Sequence, residues 1–205
     1  MRLNLNIKKP TTRNAKNTFA EIERSAIKLF YENGYHNTTI AAITKEAGVA
    51  AGTFYLYFPS KIVLYKHILG LFSYNIRKHI AQKVSEKTSR YEKEREGIRA
   101  FFNYLIENPE MYNVIWESLY IDRTLFKDYY QSFAERYKAG LDEAKVKGEI
   151  RDLDTEVLAY ILMGISNFVG LKILFELGDN NLDLESMIDV IMQFLEKGLL
   201  TESSN

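Results

Sequence analysis

The sequence predicts an all-α protein, and three observations lead to that prediction. Apolar residues recur at spacings of three and four along most of the 205-residue chain, as they do on one face of a helix. The chain has only three prolines and few alternating β-branched runs, which leaves little room for a sheet. Glycine, asparagine and proline fall where these periodic stretches stop. We expect about nine helices.

The first two helices follow a basic segment. Residues 1–17 contain Arg2, Lys8, Lys9, Arg13 and Lys16 and no acidic residue. The stretch from Thr18 to Glu21 fits a capping box and predicts the start of the first helix. Asn33-Gly34 predicts its end. Thr38 or Thr39 then caps a short second helix, which Gly48 ends because glycine readily adopts a positive φ.

A third helix is expected from about Ala50 to Phe58, because Pro59 disfavours helical conformation in the residue before it. Phe54 and Phe58 share one face, and we place them in a small core with Phe30, Ile43 and Val49. The opposite surface carries Ala51, Gly52 and Tyr55, with Thr53 and Tyr57 beside it. Small residues and hydroxyl groups suit a recognition helix in the major groove of DNA. The alternative is a plain three-helix core with two exposed tyrosines.

Ser60 is expected to cap a fourth helix over 61–85, with Lys61 at its start, where a cation suits a DNA phosphate. Residues 85–97 are interpreted as a charged loop leading into helix five, and Asn108-Pro109 restarts the chain. Further helices are predicted over 122–147, 155–177 and 183–200.

The last two helices predict a dimer. One chain cannot easily cover both of their apolar faces, whereas a four-helix bundle across a two-fold axis would. The alternative is an intrachain hairpin covered by other helices. The predicted dimer-interface residues are Leu158, Ile161, Leu162, Ile165, Val169, Ile191, Phe194 and Leu195.

The net charge of zero conceals a division along the chain. Residues 1–80 hold 12 Lys and Arg against 4 Asp and Glu, a balance of +8, and the remaining 15 Lys and Arg against 23 Asp and Glu give −8. This asymmetry favours an N-terminal part that binds a polyanion, unless the distribution arose by chance. The absence of cysteine excludes disulfides and thiolate metal sites.

No feature of the sequence predicts an enzyme, a cofactor or a metal site. The three histidines lack metal-ligand spacing, "GVAAGT" lacks the lysine of a phosphate-binding loop, and no nucleophile elbow is present. The apolar stretch 157–175 contains Ser166, Asn167 and Lys172 and is barely long enough to span a membrane. We interpret it as a buried helix at a protein interface and expect a cytoplasmic protein without a membrane partner.

The stretch "FYENGYHNTTIAAITKEAGVAAGTFYLYFPSKIVLY" resembles the N-terminal domain of the TetR family of one-component transcriptional regulators. The similarity covers about residues 18–70, a quarter of the chain, and the spacing of its matching residues is long and specific. They are Phe30, Gly34-Tyr35, Thr38-Thr39, Ile43, Ala47-Gly48-Val49, Gly52-Thr53, Tyr55, Tyr57-Phe58, Ser60-Lys61 and Leu64.

The resemblance implies a homodimer with three parts in each chain: a basic arm (1–17), a three-helix helix-turn-helix domain (18–65), and a helical effector and dimerisation domain (66–205). It implies a repressor that a small apolar or aromatic effector releases from an approximately palindromic DNA operator. The alternative function is a helical protein-interaction module without a specific DNA target.

By position, the resemblance also implies the residues of each site. Thr39 and Lys61 would contact phosphates, Tyr57 would reach the DNA backbone, and Ala50, Ala51, Gly52, Thr53 and Tyr55 would face the groove. The alanines depart from the polar residues common in the family, which favours thymine-methyl contact or shape readout. The arm would then reach DNA or remain a solubilising tail. The predicted effector pocket consists of Phe101, Tyr104, Trp116, Tyr120, Phe133, Tyr137 and Phe168. The alternative is that these aromatic residues, at helical spacing, are plain core.

Overall fold

The computed structural model describes residues 5–178 and 182–198, and all regular structure in these residues is helical. This confirms the predicted fold class. The helices are α1 (Arg13–Asn37), α2 (Ile40–Glu46), α3 (Ala51–Tyr57), α4 (Lys61–Val84), α5 (Arg90–Glu107), α6 (Glu110–Ile121), α7 (Arg123–Val146), α8 (Thr155–Phe175) and α9 (Leu184–Gly198). The predicted continuation of the last helix to residue 200 lies outside the described residues.

Helix α1 begins earlier than the capping-box prediction. Its N-cap is Thr12, whose hydroxyl oxygen accepts a hydrogen bond from the Ala15 N–H at 3.2 Å. No residue between Arg13 and Asn17 stops a helix, so Thr18, where the helix was predicted to begin, already lies within it. The non-helical arm among the described residues is therefore 5–12. Near its end, α1 is interrupted at Gly34, which has a φ of +75°.

The chain divides into two compact units that are not continuous in sequence. Unit 1 comprises the residues up to Tyr74 together with Glu110–Tyr129, and unit 2 comprises Asn75–Pro109 and the residues from Tyr130 onward. Helix α6 thus belongs to the same unit as α1, α2 and α3. The predicted functional boundary at residue 65 stays a prediction.

The core of unit 1 follows the predicted helical faces. Phe30, Ile43, Phe54 and Phe58 are buried as expected, whereas Val49 is only half-buried. The rings of Phe54 and Phe58 lie 5.8 Å apart, which is within the range of favourable aromatic contact. Burial of these side chains sets which face of α3 is left for solvent.

In unit 2, α5 packs against α8 and α9. Helix α5 begins with a capping box between Ser89 and Glu92. A β-carbon on Gly170 of α8 would lie 2.8 Å from Leu105 Cδ2, so the glycine permits close approach of the two helices. Arg99 Nε donates to Glu185 at 2.7 Å and ties α5 to the first turn of α9.

By length and composition alone, one helix within the described ranges, Thr155–Phe175, could cross a membrane, but only 33% of its most apolar window is buried. Four residues predicted for the dimer interface are buried within the chain: Leu158, Leu162, Ile191 and Leu195. These four cannot form a partner surface, and this part of the prediction is corrected. They serve the intrachain packing that was the alternative. Ile161 and Phe194 are exposed, and Ile165 and Val169 are half-buried.

Candidate nucleic-acid interface

Helices α2 and α3 form the predicted helix-turn-helix. Gly48 adopts a φ of +66°, which glycine tolerates far better than other residues. The Val49 N–H donates to the Thr44 carbonyl at 2.9 Å, and the Gly48 N–H donates to that of Lys45 at 3.2 Å. These bonds satisfy carbonyls left free at the end of α2 and direct the chain into α3.

The exposed face of α3 is small and uncharged. It contains Ala51, Gly52, Tyr55 and Leu56, and Ala50 just before it is also exposed. Tyr55 and Leu56 are 57% and 59% exposed. The prediction missed Leu56, although its spacing of four from Gly52 places it on the same face. This face can approach base edges closely and offers apolar groups to thymine methyls.

Thr53 and Tyr57 border this face and are half-buried. The Tyr57 ring meets that of Phe19 edge-on, with 5.4 Å between centroids. The carbonyl of Tyr57 accepts a hydrogen bond from the Lys8 N–H at 3.3 Å. The arm therefore passes the C-terminal end of α3.

Thr39 is exposed and caps α2, its hydroxyl oxygen accepting the Ala42 N–H at 3.1 Å. A hydroxyl that accepts in this way can still donate, so a phosphate contact by Thr39 is compatible with its capping role and stays a prediction. Thr38 has a different role. Its hydroxyl lies 3.0 Å from the Leu29 carbonyl and 2.8 Å from that of Gly34, across the break in α1.

Lys61 has a structural role within the chain, and its predicted phosphate contact stays a prediction. Its ammonium donates to the carbonyls of Tyr35 and Thr38, both at 2.6 Å, and lies 4.2 Å from the centroid of the Tyr35 ring. Burial lowers the pKa of Lys61 from its ordinary value. Two of its three N–H groups are thus used to hold the α1–α2 turn, and a phosphate contact could use only the third.

Glu117 on α6 completes this turn, and no prediction included it. Its carboxylate accepts the Tyr35 N–H at 2.6 Å. Gly34 has a positive φ, and a β-carbon there would lie 2.9 Å from Glu117 Oε1, so a side chain at this position would displace the carboxylate. Tyr65 donates to the Val114 carbonyl, a second polar contact to α6, and burial raises the pKa of its hydroxyl. No local pattern could reveal partners 82 residues apart.

The predicted pocket residues fall in both units. Tyr120 in unit 1 is 81% exposed and Phe168 in unit 2 is 66% exposed, so neither lines an interior cavity of this chain. This corrects the prediction for these two residues, whose helical spacing does not reveal which face is covered. Phe101 and Tyr104 are buried in unit 2, whereas Trp116, Phe133 and Tyr137 are half-buried. A pocket formed by them stays a prediction.

Unit 2 also contains a buried ion pair that no sequence pattern indicated. Arg90 and Glu94, four residues apart at the start of α5, are both buried and paired, and the Tyr137 hydroxyl donates to Glu94. Burial raises the pKa of Tyr137. The segment was interpreted as a charged loop and helix start, because a charged run gives no sign of which charges are buried.

A helix-turn-helix near the start of a helical chain is typical of helical DNA-binding regulators. Residues 22–68 match the sequence profile of bacterial regulatory proteins, tetR family. In this segment the chain is similar to the TetR family of regulators.

Two curated relatives each match part of the chain. The chain is 38% identical over 73 residues to the fatty acid metabolism regulator protein of Bacillus subtilis (strain 168), covering 34% of this chain. It is 28% identical over 97 residues to the HTH-type transcriptional activator FasR of Mycolicibacterium smegmatis (strain ATCC 700084 / mc(2)155), covering 47% of this chain. The matches span 38% and 44% of the lengths of these two relatives.

Solved structures resemble nearly the whole chain. The fatty acid degradation regulator FadR from Bacillus halodurans gives a TM-score of 0.76 at 23% identity, with 91% of this chain and 96% of that one covered. FadR from Bacillus subtilis in complex with stearoyl-CoA gives a TM-score of 0.70 at 25% identity, with 86% and 97% covered. The first likeness is one of fold alone.

Proposed function

We propose that this protein is a ligand-responsive, DNA-binding transcriptional regulator that represses its genes and is released from DNA by a largely apolar effector. The observation that carries the proposal is the helix-turn-helix, whose second helix presents an exposed face of Ala51, Gly52, Tyr55 and Leu56. Such a face suits close approach to the major groove. The proposal includes a cytoplasmic location and the absence of catalysis, as expected from the regulatory relatives.

The effector we propose is a long-chain fatty acyl compound, with its CoA thioester as the first candidate. Support comes from the fatty-acid regulators among the relatives and from the FadR structure that holds stearoyl-CoA. The apolar and aromatic side chains of unit 2 suit an acyl chain, because small-molecule pockets are mostly apolar. The FasR relative is an activator, so the sign of regulation needs its own measurement.

A homodimer is the proposed DNA-binding form. Exposed apolar side chains on α8 and α9, such as Ile161 and Phe194, leave a surface that a second copy would cover. The two α3 helices would then lie about 34–36 Å apart, or a multiple of that distance, on an approximately palindromic site.

Effector binding must favour one arrangement of the DNA-binding helices, or it changes nothing. We propose that α6 carries this effect, since Glu117 and the Val114 carbonyl contact the α1–α2 turn and α4. A coupling free energy of about 1–3 kcal/mol would change DNA affinity about 5- to 150-fold.

Selection from random-sequence duplexes, followed by affinity measurement across salt concentrations, tests the DNA-binding proposal. We expect a preferred, approximately palindromic site whose affinity falls steeply with salt. If no duplex binds in a salt-dependent manner, the protein is instead the interaction module considered as the alternative.

The effector proposal has its own test. Affinity for the selected duplex is measured with stearoyl-CoA and, as the matched control, with CoA alone. We expect weaker DNA binding with the thioester only. An unchanged affinity, with stearoyl-CoA shown to be bound, would reject this effector and leave the DNA-binding proposal intact.

A further inference from the structure

Four cations of unit 1 beyond the first turns of α1 are already engaged within the protein. Lys61 donates to two backbone carbonyls. Ion pairs join Arg24 to Glu21, Lys28 to Glu46, and Lys66 to Asp122. The positive balance of the N-terminal region therefore resides mainly in other residues, and the arm and the first turns of α1 hold most of them.

Helix α3, the proposed recognition helix, has no positive charge with which to neutralise DNA phosphates. Residues Ala51–Tyr57 contain no ionisable side chain other than two tyrosines, and the N-cap, Ala50, is also uncharged. Neutralisation of phosphates by Lys and Arg provides most of the non-specific affinity for DNA and its dependence on salt. A protein that reads DNA with this α3 needs cations placed close beside it.

The arm places two lysines there. The backbone N–H of Lys8 donates to the carbonyl of Tyr57, the last residue of α3, at 3.3 Å. Lys8 and Lys9 are exposed, and neither forms an ion pair within the part of the chain that the structure describes. The sequence contains no acidic residue before Glu21 that could neutralise them.

Further cations lie along the same approach. Lys16 is one helical turn before Phe19, whose ring contacts that of Tyr57. Lys16 and Arg13 are exposed and, among the described residues, also without ion pairs. The arm and the start of α1 thus form a basic strip that leads to the C-terminal end of the recognition helix.

We propose that Lys8 and Lys9 bind phosphates of duplex DNA beside the site where α3 docks, and that they supply affinity that α3 lacks. The inference rests on the DNA-binding function proposed above. It assigns to the arm the phosphate contacts that the resemblance had assigned to Lys61, which the structure uses to hold the α1–α2 turn.

The test replaces both lysines in one variant, Lys8→Ala together with Lys9→Ala. For the wild type and the variant, it measures the slope of log affinity for the selected duplex against log salt concentration. Alanine keeps the backbone N–H that bonds to Tyr57. Loss of two phosphate contacts should reduce the slope of log affinity against log salt by about 1.8. The ratio of wild-type to variant affinity should therefore shrink about 12-fold between about 50 and 200 mM salt.

The matched control removes two exposed lysines from the unit-2 part of α4, Lys78→Ala together with Lys83→Ala, which changes the net charge equally. It should leave the salt slope near that of the wild type. The Lys8→Arg, Lys9→Arg variant should restore the wild-type slope, because arginine keeps the positive charge.

Two results would overturn the inference, and they are distinguishable. If the wild type binds DNA in a salt-dependent way and the arm variant has the same slope, the arm does not contact phosphate and the DNA-binding function stands. If the wild type shows no salt-dependent duplex binding, the proposed function fails and the inference fails with it.

Discussion

The carboxylate of Glu117 accepts the backbone N–H of Tyr35, with 2.6 Å between Oε1 and N. This bond joins α6 to the turn that connects α1 and α2. The same turn is also held by Lys61, which donates to the carbonyls of Tyr35 and Thr38. The start of the helix-turn-helix is thereby positioned by an acid and a base that are distant from it in sequence.

Glu117→Ala should destabilise the protein by about 1–3 kcal/mol, because it leaves a partly buried N–H without its acceptor. Glu117→Gln keeps an acceptor but loses the charge, so its effect should be smaller. Chemical denaturation measures both. Asn113→Ala, at an exposed position of the same helix, is the control and should change stability by less than about 0.5 kcal/mol. Equal effects at the two positions would contradict the assigned role of Glu117.

Gly34→Ala should destabilise the protein by about 1–3 kcal/mol, since the position has a φ of +75° and the new methyl would meet Glu117. Its control is Gly70→Ala within α4, where a β-carbon meets no atom within 4 Å. That change should stabilise by about 0.5–1 kcal/mol through the lower entropy of the unfolded chain.

A double-mutant cycle separates the two causes at Gly34. If the contact with Glu117 matters, Gly34→Ala should cost less in the Glu117→Ala background than in the wild type. An identical cost in both backgrounds would assign the whole effect to the backbone conformation.

Phe194→Glu should give a folded monomer, because this exposed side chain belongs to the surface proposed for the dimer. Leu195→Glu should instead unfold the chain, because it would bury an unpaired charge. Light scattering and circular dichroism distinguish these outcomes. A wild-type mass equal to the 23.8 kDa chain would exclude the dimer at the concentration used.

Tyr55→Ala and Leu56→Ala should lower affinity for the selected duplex and broaden sequence preference, while leaving the salt slope unchanged. Both side chains are exposed on α3 and neither carries a cation. Repeating the duplex selection with each variant measures preference directly. A change of slope without a change of preference would place these residues at the DNA backbone instead.

The contact between α5 and α9 should weaken in acid. Hydrogen bonding to Arg99 lowers the pKa of Glu185, so the folded state favours the carboxylate. The resulting stability is present above the ordinary pKa of glutamate, about 4.3, and is lost as the pH falls through the lower folded pKa. The stability difference between wild type and Glu185→Gln should thus be present at neutral pH and vanish in acid. Glu196→Gln on the same helix is the control.

Much of the fold could be predicted from the sequence because its signals are local. Helical periodicity, the glycines at 34 and 48, and the proline after Phe58 are enough to place the first helices and the helix-turn-helix. The start of α1 was predicted wrongly, because two threonines could cap it and the sequence does not say which one does. The exposed face of α3 follows from the burial of Phe54 and Phe58.

Tertiary structure decided what each charged or apolar residue does. The sequence predicts a phosphate contact for Lys61, whereas its hydrogen bonds to the carbonyls of Tyr35 and Thr38 could be found only in the structure. Glu117 is near the α1–α2 turn only because α6 packs on α1. Leu158 and Ile161 share an apolar helix, yet only Ile161 remains exposed. Local sequence determines helices and their faces, whereas the partner of a face or a charge depends on contacts between residues far apart in the chain.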